Sequence, residues 1–286
     1  MSERPAPDRR LHAYRQDLAS ETLRGLVVAA RYVEGALRQV HAPLLPLRRE
    51  PRLDAPLDTE ALFGETLLLF DEEEGWAWAQ LSRDGYVGYV PSEGLRASIF
   101  APTHRIAALR SYVFPVPDIK APPISLLSMN ATFAAKGEDG RFLILSTGGF
   151  VPSVHARRLD EFADDFVDVA AAFAGTPYLW GGRSSIGVDC SGLVQLACES
   201  AGIACPRDAD MQVTSLGDPF DWKGGSLKRG DLVFWDGHVG IMADATTLLH
   251  ASAYQMAVVV EPLAEARARI AASGGGEIVA ARRLPD

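Results

Sequence analysis

Val188-Asp-Cys-Ser-Gly-Leu-Val194 is the stretch that decides the fold, because it opens an apolar pattern with helical spacing. The pattern continues toward Gly202, and a glycine just past the last apolar position commonly ends a helix. We therefore predict an amphipathic helix that begins at Asp189 or Cys190 and ends before Gly202. The apolar positions behind this prediction are Leu193, Val194, Leu196, Ala197 and Ala201.

The predicted helix start gives the Cys190 thiol a special electrostatic setting. Backbone N–H groups in the first turn of a helix lack helical partners, and the positive end of the helix dipole favours negative charge. Both effects favour a thiolate, which is the reactive form of cysteine. Cys190 is therefore the candidate nucleophile. A cysteine is more commonly a small buried hydrophobe, and this is our interpretation of Cys198 and Cys205.

A thiolate nucleophile needs a partner that holds a proton and returns it to the leaving group, and the pKa of histidine suits that task. His238 and His250 lie in short apolar runs separated by turn residues, a pattern typical of consecutive antiparallel strands. We expect His238 to open one strand and His250 to lie on its hairpin neighbour, within cross-strand reach. The second imidazole then fixes the tautomer of the first. The runs are 231–235, 238–243, 247–250 and 257–260.

Cysteine and histidine also bind metals. The three cysteines include no CxxC pair, and the chain has no HxxxH spacing, so the sequence favours catalysis over a zinc site. A lone histidine is usually an ordinary core or surface residue. We interpret the remaining histidines in this way: His12, His41, His104 and His155.

Six short motifs in the C-terminal half resemble, in order, those of the NlpC-type cell-wall peptidases, which are papain-like cysteine peptidases that cut peptidoglycan stem peptides. The resemblance covers about residues 160–286 and implies a papain-like domain. The motifs are Tyr178-Leu-Trp-Gly-Gly, Asp189-Cys-Ser-Gly-Leu-Val, Pro206-Arg-Asp-Ala-Asp-Met-Gln, Gly230-Asp-Leu-Val-Phe-Trp, His238-Val-Gly-Ile and Leu249-His-Ala-Ser.

The resemblance implies roles for individual residues. Cys190 is the nucleophile, His238 the base and His250 the third polar member of the triad. The planar guanidinium of Arg207 suits a carboxylate of the substrate, and the alternative for Arg207 is a solvated surface charge. The residues implied to line the substrate cleft are Tyr178, Asp189, Ser191 and Arg207.

The N-terminal half has a different sequence pattern, in which short runs of aromatic and β-branched residues alternate with turns, as in small antiparallel barrels. Residues 39–98 resemble the bacterial SH3-like domains that precede NlpC-type catalytic domains, through Gly64-Glu65 and Asp84-Gly-Tyr-Val-Gly-Tyr-Val90. Residues 99–159 predict a second SH3-like barrel, and residues 1–38 a short helical leader that packs on the chain after it. The predicted fold class is α+β, a papain-like C-terminal catalytic domain over 160–286 preceded by these two barrels and the leader.

The first barrel is implied to contribute to substrate binding. In relatives that act on free muropeptides, it closes one end of the cleft and holds the free N-terminal L-Ala. The matching residues here are Glu65 and Tyr86. A carboxylate attracts an ammonium by charge, and a phenol accepts its hydrogen bond or offers its π face. The alternative is an exposed turn glutamate and a barrel aromatic.

Composition limits the partners and the compartment. The net charge of −9 and the pI near 5.2 argue against nucleic acid and anionic membranes, which attract basic surfaces. The first ten residues contain charges and prolines but no apolar segment of a secretory signal. An odd count of 3 cysteines favours a reducing compartment. The sequence therefore predicts a protein of the bacterial cytoplasm.

Taken with these observations, the resemblance implies a cysteine endopeptidase that hydrolyses the γ-D-glutamyl-L-diamino acid bond of small murein peptides with a free N-terminal L-Ala, in cell-wall peptide recycling. No metal or organic cofactor, nucleic acid or membrane is implied, and monomer and homo-oligomer both remain open. Three alternatives also remain open. They are a secreted hydrolase of polymeric peptidoglycan, a wall-binding module with an inactive peptidase domain, and an acyl or amide transferase that uses the same nucleophile.

Overall fold

The computed structural model describes residues 6–224 and 227–285, which form two compact units. The first unit comprises the chain up to Ile106 together with Ser111–Leu127 and Ala131–Ala156. The second comprises Ala107–Arg110, Ser128–Asn130 and the chain from Arg157 onward. The candidate nucleophile and both candidate histidines belong to the second unit.

A seven-stranded sheet occupies the region predicted as the first SH3-like barrel. Its strands are β3 (Ala36–Val40), β4 (Leu44–Arg48), β5 (Leu57–Leu62), β6 (Thr66–Glu73), β7 (Trp76–Leu81), β8 (Val87–Pro91) and β9 (Leu95–Arg96). They are arranged in the order β5-β4-β8-β7-β6-β3-β9, and neighbouring strands are antiparallel. Alternation along β7 puts Ala77, Ala79 and Leu81 into a buried core. The predicted antiparallel strands are therefore confirmed.

The leader differs from the prediction, because the described residues 6–38 contain no α-helix. They form β1 (Leu18–Ser20) and β2 (Arg31–Val33), which pair in parallel, and a 3-10 turn between them. Gly25 adopts a φ of +84°, which an α-helix does not contain, and Leu26, one of the apolar positions behind the helical prediction, is 62% exposed. The predicted packing is confirmed, since Leu18 joins a buried cluster with Phe70 and Trp78 of the sheet.

Short strands also occupy residues 99–159. They are β10 (His104–Ile106), β11 (Arg110–Val113), β12 (Ser125–Ser128), β13 (Thr132–Phe133), β14 (Ala135–Asp139), β15 (Phe142–Leu145), β16 (Phe150–Pro152) and β17 (Ala156–Arg158). The last hairpins, β14-β15-β16, form an antiparallel three-stranded sheet. Gly140, with a φ of +59°, lies in the turn between β14 and β15. The domain boundary at residue 99 stays a prediction.

Four α-helices belong to the second unit. They are α1 (Phe166–Ala171), α2 (Cys190–Ser200), α3 (Ala209–Ser215) and α4 (Leu263–Ala272). Helix α2 agrees with the prediction, since Asp189 is its N-cap and Gly202, with a φ of +78°, follows its end. In residues 6–224 and 227–285, no helix is long and apolar enough to cross a membrane.

A six-stranded antiparallel sheet completes the second unit. Its strands are β18 (Asp218–Pro219), β19 (Leu232–Trp235), β20 (His238–Met242), β21 (Thr247–Ser252), β22 (Ala257–Pro262) and β23 (Ala280–Arg283), in the order β18-β23-β19-β20-β21-β22. Gly237, with a φ of +72°, makes the tight turn between β19 and β20. Helix α2 packs against β20 and β21. This packing places the helix of Cys190 on the two strands that carry the candidate histidines.

Candidate active site

Asp189 fixes the start of α2 and therefore the position of Cys190. Its backbone is extended, and its Oδ1 accepts a hydrogen bond from the Gly192 N–H at 2.7 Å, as expected of an N-cap residue. Its second oxygen, Oδ2, accepts from the Gly181 N–H at 2.9 Å. One carboxylate thus joins the helix to the preceding Tyr178-Leu-Trp-Gly-Gly segment and holds Cys190 as the first helical residue.

The Cys190 thiol is buried, with 7% of the residue exposed. Burial raises the pKa of this thiol to about 12, and the charge of Asp189 acts in the same direction. Hydrogen bonds from the backbone N–H groups of Val239 and Ser191 favour the thiolate, but they are weaker than the effect of burial. Burial therefore opposes the thiolate that the helix start favours, and the charge state of Cys190 stays a prediction.

His238 and His250 are in direct contact. His238 opens β20 and His250 lies on β21, as the sequence predicted. The Nε2 atom of His238 lies 2.8 Å from Nδ1 of His250, and the ring centroids are 5.0 Å apart. Because Nε2 of His238 faces His250, Nδ1 is the ring nitrogen left to serve the nucleophile.

Both imidazoles are held in the neutral form. Burial lowers the pKa of His238 to about 3, and the neighbouring His250 and Arg269 act in the same direction. Burial also lowers the pKa of His250, although a hydrogen bond with Glu261 opposes it. A neutral imidazole can accept a proton, so His238 has the protonation state that a general base requires at neutral pH.

Glu261 is the residue of this site that the sequence analysis missed. It lies on β22, where Glu261 pairs with Leu248 and Val259 pairs with His250, so Glu261 and His250 are diagonal neighbours on one face. Its Oε1 lies 2.7 Å from Nε2 of His250. The signal in the sequence is a lone carboxylate at the end of the apolar run Ala257-Val-Val-Val260.

Arg269 of α4 holds the Glu261 carboxylate from the other side. Its Nη1 donates to Oε2 at 2.7 Å and its Nη2 to Oε1 at 2.5 Å, and Gln255 Nε2 donates to Oε2 at 3.3 Å. Burial opposes ionisation of Glu261. The hydrogen bonds with Arg269 and His250 outweigh burial and lower the pKa of Glu261 to about 2. Glu261 is therefore an anion at neutral pH.

Arg207 and Ser191 lie beside the nucleophile, in one network with Asp189. Arg207 donates from Nη1 and Nη2 to the two carboxylate oxygens of Asp189 at 2.9 and 2.7 Å, and from Nη1 to Ser191 Oγ at 2.9 Å. Arg207 is only 1% exposed. Arg207 is therefore not a solvated surface charge, and its Nη1 and Nη2 atoms are engaged by Asp189. Its assignment as a substrate contact stays a prediction.

Tyr178 is half-buried near the start of α2. Its backbone N–H donates to the Met256 carbonyl at 2.9 Å, and its backbone bridges to Val188. Burial raises the pKa of the phenol, and the charges of Cys190 and Asp189 act in the same direction. The phenol is therefore a neutral hydroxyl that is able to donate a hydrogen bond. Its assignment as a substrate contact stays a prediction.

Glu65 and Tyr86 lie in the first unit. Glu65 Oε1 is 3.0 Å from Arg83 Nε, and Glu65 Oε2 accepts from the Leu62 N–H at 3.2 Å. Tyr86 belongs to the buried core of the sheet and is 4% exposed. Glu65 is therefore not the exposed turn residue of the alternative interpretation, whereas Tyr86 is a core aromatic. Their role in binding an ammonium stays a prediction.

The chemistry available at this site is nucleophilic attack by a thiol assisted by a histidine base. The thiol and the imidazole pair lie on packed elements of one unit, and the pair is oriented by a charged group behind it. Metal ligation is the other chemistry of such residues. Among residues 6–224 and 227–285, no group of three or more His, Cys, Asp or Glu side chains is arranged to hold a metal ion.

Comparisons with known proteins give a family. The NlpC/P60 family matches residues 175–269, and the bacterial dipeptidyl-peptidase Sh3 domain matches residues 47–95. A relative from Bacillus subtilis (strain 168), named gamma-D-glutamyl-L-lysine dipeptidyl-peptidase, is 30% identical over 223 residues, which cover 69% of this chain and 73% of the relative. The chain belongs to the NlpC/P60 family. As an NlpC/P60 protein with an SH3 domain, it is a cysteine peptidase.

Further relatives agree with this assignment. Dipeptidyl-peptidase 6 of Lysinibacillus sphaericus is 28% identical over 243 residues, which cover 74% of this chain and 86% of that protein. The crystal structure of an NlpC/P60 family protein from Bacillus cereus ATCC 10987 matches with a TM-score of 0.72 at 21% identity, over 87% of this chain and 100% of that one. This likeness confirms the predicted papain-like α+β fold of the NlpC/P60 protein.

Proposed function

We propose that this NlpC/P60 protein is a γ-D-glutamyl-L-diamino acid endopeptidase of the dipeptidyl-peptidase VI type, which acts on small murein peptides with a free N-terminal L-Ala. The contact between His238 and His250 beside the helix of Cys190 carries the proposal. Relatives named gamma-D-glutamyl-L-lysine dipeptidyl-peptidase and dipeptidyl-peptidase 6 support the choice of bond.

The reaction begins with transfer of the Cys190 proton to Nδ1 of His238 as Sγ attacks the carbonyl carbon after γ-D-Glu. The sulfur–carbon bond forms and the carbonyl oxygen becomes an oxyanion. Asp189 already engages the N–H groups of Gly192 and Leu193, through its side chain and its carbonyl, so we assign the oxyanion to the N–H of Cys190. His238 then protonates the leaving amine of the diamino acid, and water hydrolyses the thioester.

Glu65 and Tyr86 are assigned to the ammonium of the substrate's N-terminal L-Ala, and the Glu65 carboxylate is also paired with Arg83. Tyr178 donates a hydrogen bond to the peptide. Asp189, Ser191 and Arg207 act as a buried network that holds the nucleophile in place.

The overall charge supports a small substrate. At −9, the protein is repelled by anionic wall polymer at low salt, whereas a short peptide carries few charges and diffuses to the cleft. We propose that the reaction takes place in the bacterial cytoplasm, where a free thiol stays reduced and released murein peptides are recycled.

Mass-spectrometric analysis of products tests the proposal. The purified protein is incubated with L-Ala-γ-D-Glu-diaminopimelate, with its L-lysine counterpart and with the N-acetylated form of each peptide, and Cys190→Ala is treated in parallel. We expect release of L-Ala-D-Glu from the free peptides alone, and no release by the variant. Equal cleavage of the free and acetylated peptides would remove Glu65 and Tyr86 from the mechanism while keeping the peptidase.

Two further arms separate the alternatives. Intact sacculi test for a wall hydrolase, and release of soluble fragments from sacculi at a rate similar to that of the free peptide would overturn the preference for small peptides. Added amine acceptors test for acyl transfer, and new amide products at the expense of L-Ala-D-Glu would identify a transferase. No turnover in any arm would contradict the proposed activity altogether.

A further inference from the structure

We propose that Glu261, held by Arg269, is a positioning residue that sets the tautomers of both active-site imidazoles. The proposal rests on the proposed function in one respect, that His238 is the base for Cys190. The residues form a continuous series of polar contacts in the order Arg269, Glu261, His250 and His238, with distances of 2.5 to 2.8 Å. The series ends at the ring whose free nitrogen serves the nucleophile.

The first step of the argument is the direction of the hydrogen bond between Glu261 and His250. An ionised carboxylate only accepts hydrogen bonds, and Arg269 keeps Glu261 ionised. The contact of 2.7 Å therefore requires a hydrogen on Nε2 of His250. A neutral imidazole carries one N–H, so Nδ1 of His250 must be the bare nitrogen.

The second step transfers this constraint to His238. Its Nε2 lies 2.8 Å from the bare Nδ1 of His250 and must donate to it. The neutral ring of His238 then has no hydrogen left for Nδ1, which is free to accept the thiol proton. In the opposite tautomer, Nδ1 of His238 carries the hydrogen and cannot act as a base for Cys190. Glu261 contacts His238 only through His250, and it thereby determines whether Nδ1 of His238 can accept the thiol proton.

Arg269 allows Glu261 to fix the tautomers of His250 and His238 while both imidazoles stay neutral. The charged groups that act on the imidazoles are Glu261 from β22 and Arg269 from α4. The Cys190 thiol of α2 interacts with the backbone N–H of Val239, the residue after His238. A lone carboxylate would attract a proton onto His250 and His238, which would remove the base. The positive charge of Arg269 opposes that effect, as its lowering influence on both histidine pKa values indicates. The pair thus orients the rings without charging them.

A second Glu–Arg pair in the same unit provides a comparison. Glu277 and Arg267 are 2.9 Å apart, but their side chains are 68% and 40% exposed. The Glu261 side chain is 10% exposed and its partner His250 is 2% exposed. Substituting Glu277 removes the same chemical pair without touching the imidazoles. Glu277→Gln is therefore the matched control.

The substitution Glu261→Gln keeps the shape of the side chain but replaces one of its two acceptor oxygens with a hydrogen-bond donor, the amide NH2. Arg269 donates to both oxygens of Glu261, and Gln255 Nε2 is a further donor to Oε2, so we expect the new amide oxygen at the Oε2 position, with Arg269 Nη2 losing its acceptor. The amide NH2 then faces Nε2 of His250 and requires it to be bare. Both imidazoles change tautomer, and His238 presents an N–H to Cys190 instead of a lone pair.

The first experiment reads the tautomers directly, by nitrogen-15 NMR of the histidine rings of the full-length protein near neutral pH. We expect His238 and His250 each to carry their hydrogen on Nε2 in the wild type, and Glu261→Gln to move it to Nδ1 in both. A wild-type spectrum with the hydrogen on Nδ1 of His250 would overturn the proposal. That measurement needs no variant, so it stands even if Glu261→Gln fails to fold.

The second experiment measures thiol activation with iodoacetamide, followed as the carbamidomethylated peptide that contains Cys190. Because this probe needs no murein peptide, it tests the proposal even if the proposed substrate is wrong. We expect Glu261→Gln to lower the alkylation rate about 10²-fold, and to lower kcat by a similar factor with KM little changed on any peptide that is cleaved.

Two further variants complete the test. Glu277→Gln is expected to match the wild type in rate and tautomer. Arg269→Met removes the compensating charge and is expected to raise the pKa of His250, measured by following the same nitrogen-15 signals as a function of pH. A Glu261→Gln protein that keeps wild-type tautomers and alkylates within about threefold of wild type would show that Glu261 has only a structural role.

Discussion

The guanidinium of Arg207 spans the carboxylate of Asp189, with Nη1–Oδ1 at 2.9 Å and Nη2–Oδ2 at 2.7 Å. Their side chains are only 1% and 11% exposed. The same carboxylate caps the helix that begins with Cys190. Arg207, which was expected to contact the substrate, therefore helps to hold Cys190 at the start of α2. We expect loss of the ion pair with Asp189 to lower both the stability and the activity of the protein.

Replacing Arg207 by Met is expected to destabilise the protein strongly. The variant leaves the buried Asp189 carboxylate without its cation, and breaking a buried pair in this way costs about 3–5 kcal/mol of unfolding free energy. Urea denaturation gives that value. The control is Arg229→Met, because Arg229 pairs with Asp165 and Asp168 at the surface, and exposed pairs contribute less than about 1 kcal/mol. Equal losses in the two variants would contradict the assigned role.

Cys190 and Cys198 lie on the same helix, are both buried and give a matched pair of variants. Cys190→Ala removes the nucleophile, and we expect peptide turnover to fall by about 10³-fold or more. Cys198→Ala leaves only a small cavity, and we expect turnover within about twofold of wild type. Turnover by each variant at matched folded concentration is the measurement. Retention of activity in Cys190→Ala would exclude thiol catalysis.

The raised pKa of the Cys190 thiol predicts an unusual pH dependence. A papain-like thiolate–imidazolium pair reacts with alkylating agents at acidic pH, since its thiol is already ionised. Here the thiol pKa is raised to about 12 and the His238 pKa is lowered to about 3, so the proton stays on sulfur at neutral pH. We expect thiolate absorbance in the ultraviolet to be missing at pH 7 and to grow only in alkali. Full thiolate absorbance at pH 5 would contradict this.

Acid stability follows from the same histidines. Their pKa values are lowered in the folded state, so between about pH 6.5 and 3 the unfolded chain binds more protons at His238 than the folded chain does. The free energy of unfolding therefore falls as pH falls through that window. Glu261, with its pKa lowered to about 2, adds a loss of the same sign below its ordinary pKa of about 4.5.

His238→Asn tests the acid contribution. The variant has no proton to take up at this position, so its unfolding free energy is expected to depend less steeply on pH between about 6.5 and 3. Urea titrations at several pH values give the two slopes. His41→Asn in the first unit, where the imidazole is exposed, makes the same substitution away from the site and is the control. Parallel curves for His238→Asn and wild type would show that this histidine does not resist protonation.

Local signals explain which parts of the site were predictable from the sequence. Asp189 and Gly202 bracket α2, and N-cap and C′ preferences act within a few residues of the chain. His238 and His250 were found because their strands are consecutive in the chain and joined by a short connection, residues 243–246. These elements could be predicted without knowing which residues pack against them.

Tertiary contacts explain what could not be predicted. Glu261 meets His250 only through the register of β22 on β21, and Arg269 reaches Glu261 only because α4 returns along the sheet. The charge of Cys190 depends on burial, which outweighs the helix start. The prediction of a helical leader was wrong for a different reason. Its apolar residues stand at helical spacing in the sequence, but Leu18 packs on the sheet of the first unit from the short strand β1.

Gly192 is the residue of the nucleophile motif with the least room for change. A Cβ atom there would clash with the Gly182 carbonyl oxygen and lie 3.0 Å from Asp189 Oδ1, and a backbone oxygen cannot yield without moving the chain. Gly192→Ala is therefore expected to push the first turn of α2 away from its cap and displace Cys190. We expect a loss of about 1–3 kcal/mol in unfolding free energy, typical of overpacking, together with the loss of most of the peptide turnover.

The same substitution at Gly224 isolates the steric effect, because a Cβ there meets nothing within 4 Å. Gly224→Ala is expected to keep wild-type stability and turnover. Thermal denaturation and peptide turnover of both variants, measured together, test whether the close approach of Gly192 to Gly182 positions the thiol. If Gly192→Ala cleaved peptide as fast as Gly224→Ala, the start of α2 would tolerate displacement, and the tight approach of Gly182 would have no part in placing the thiol. We expect the opposite, since a misplacement of about 1 Å at a reacting atom lowers the rate about 10²-fold.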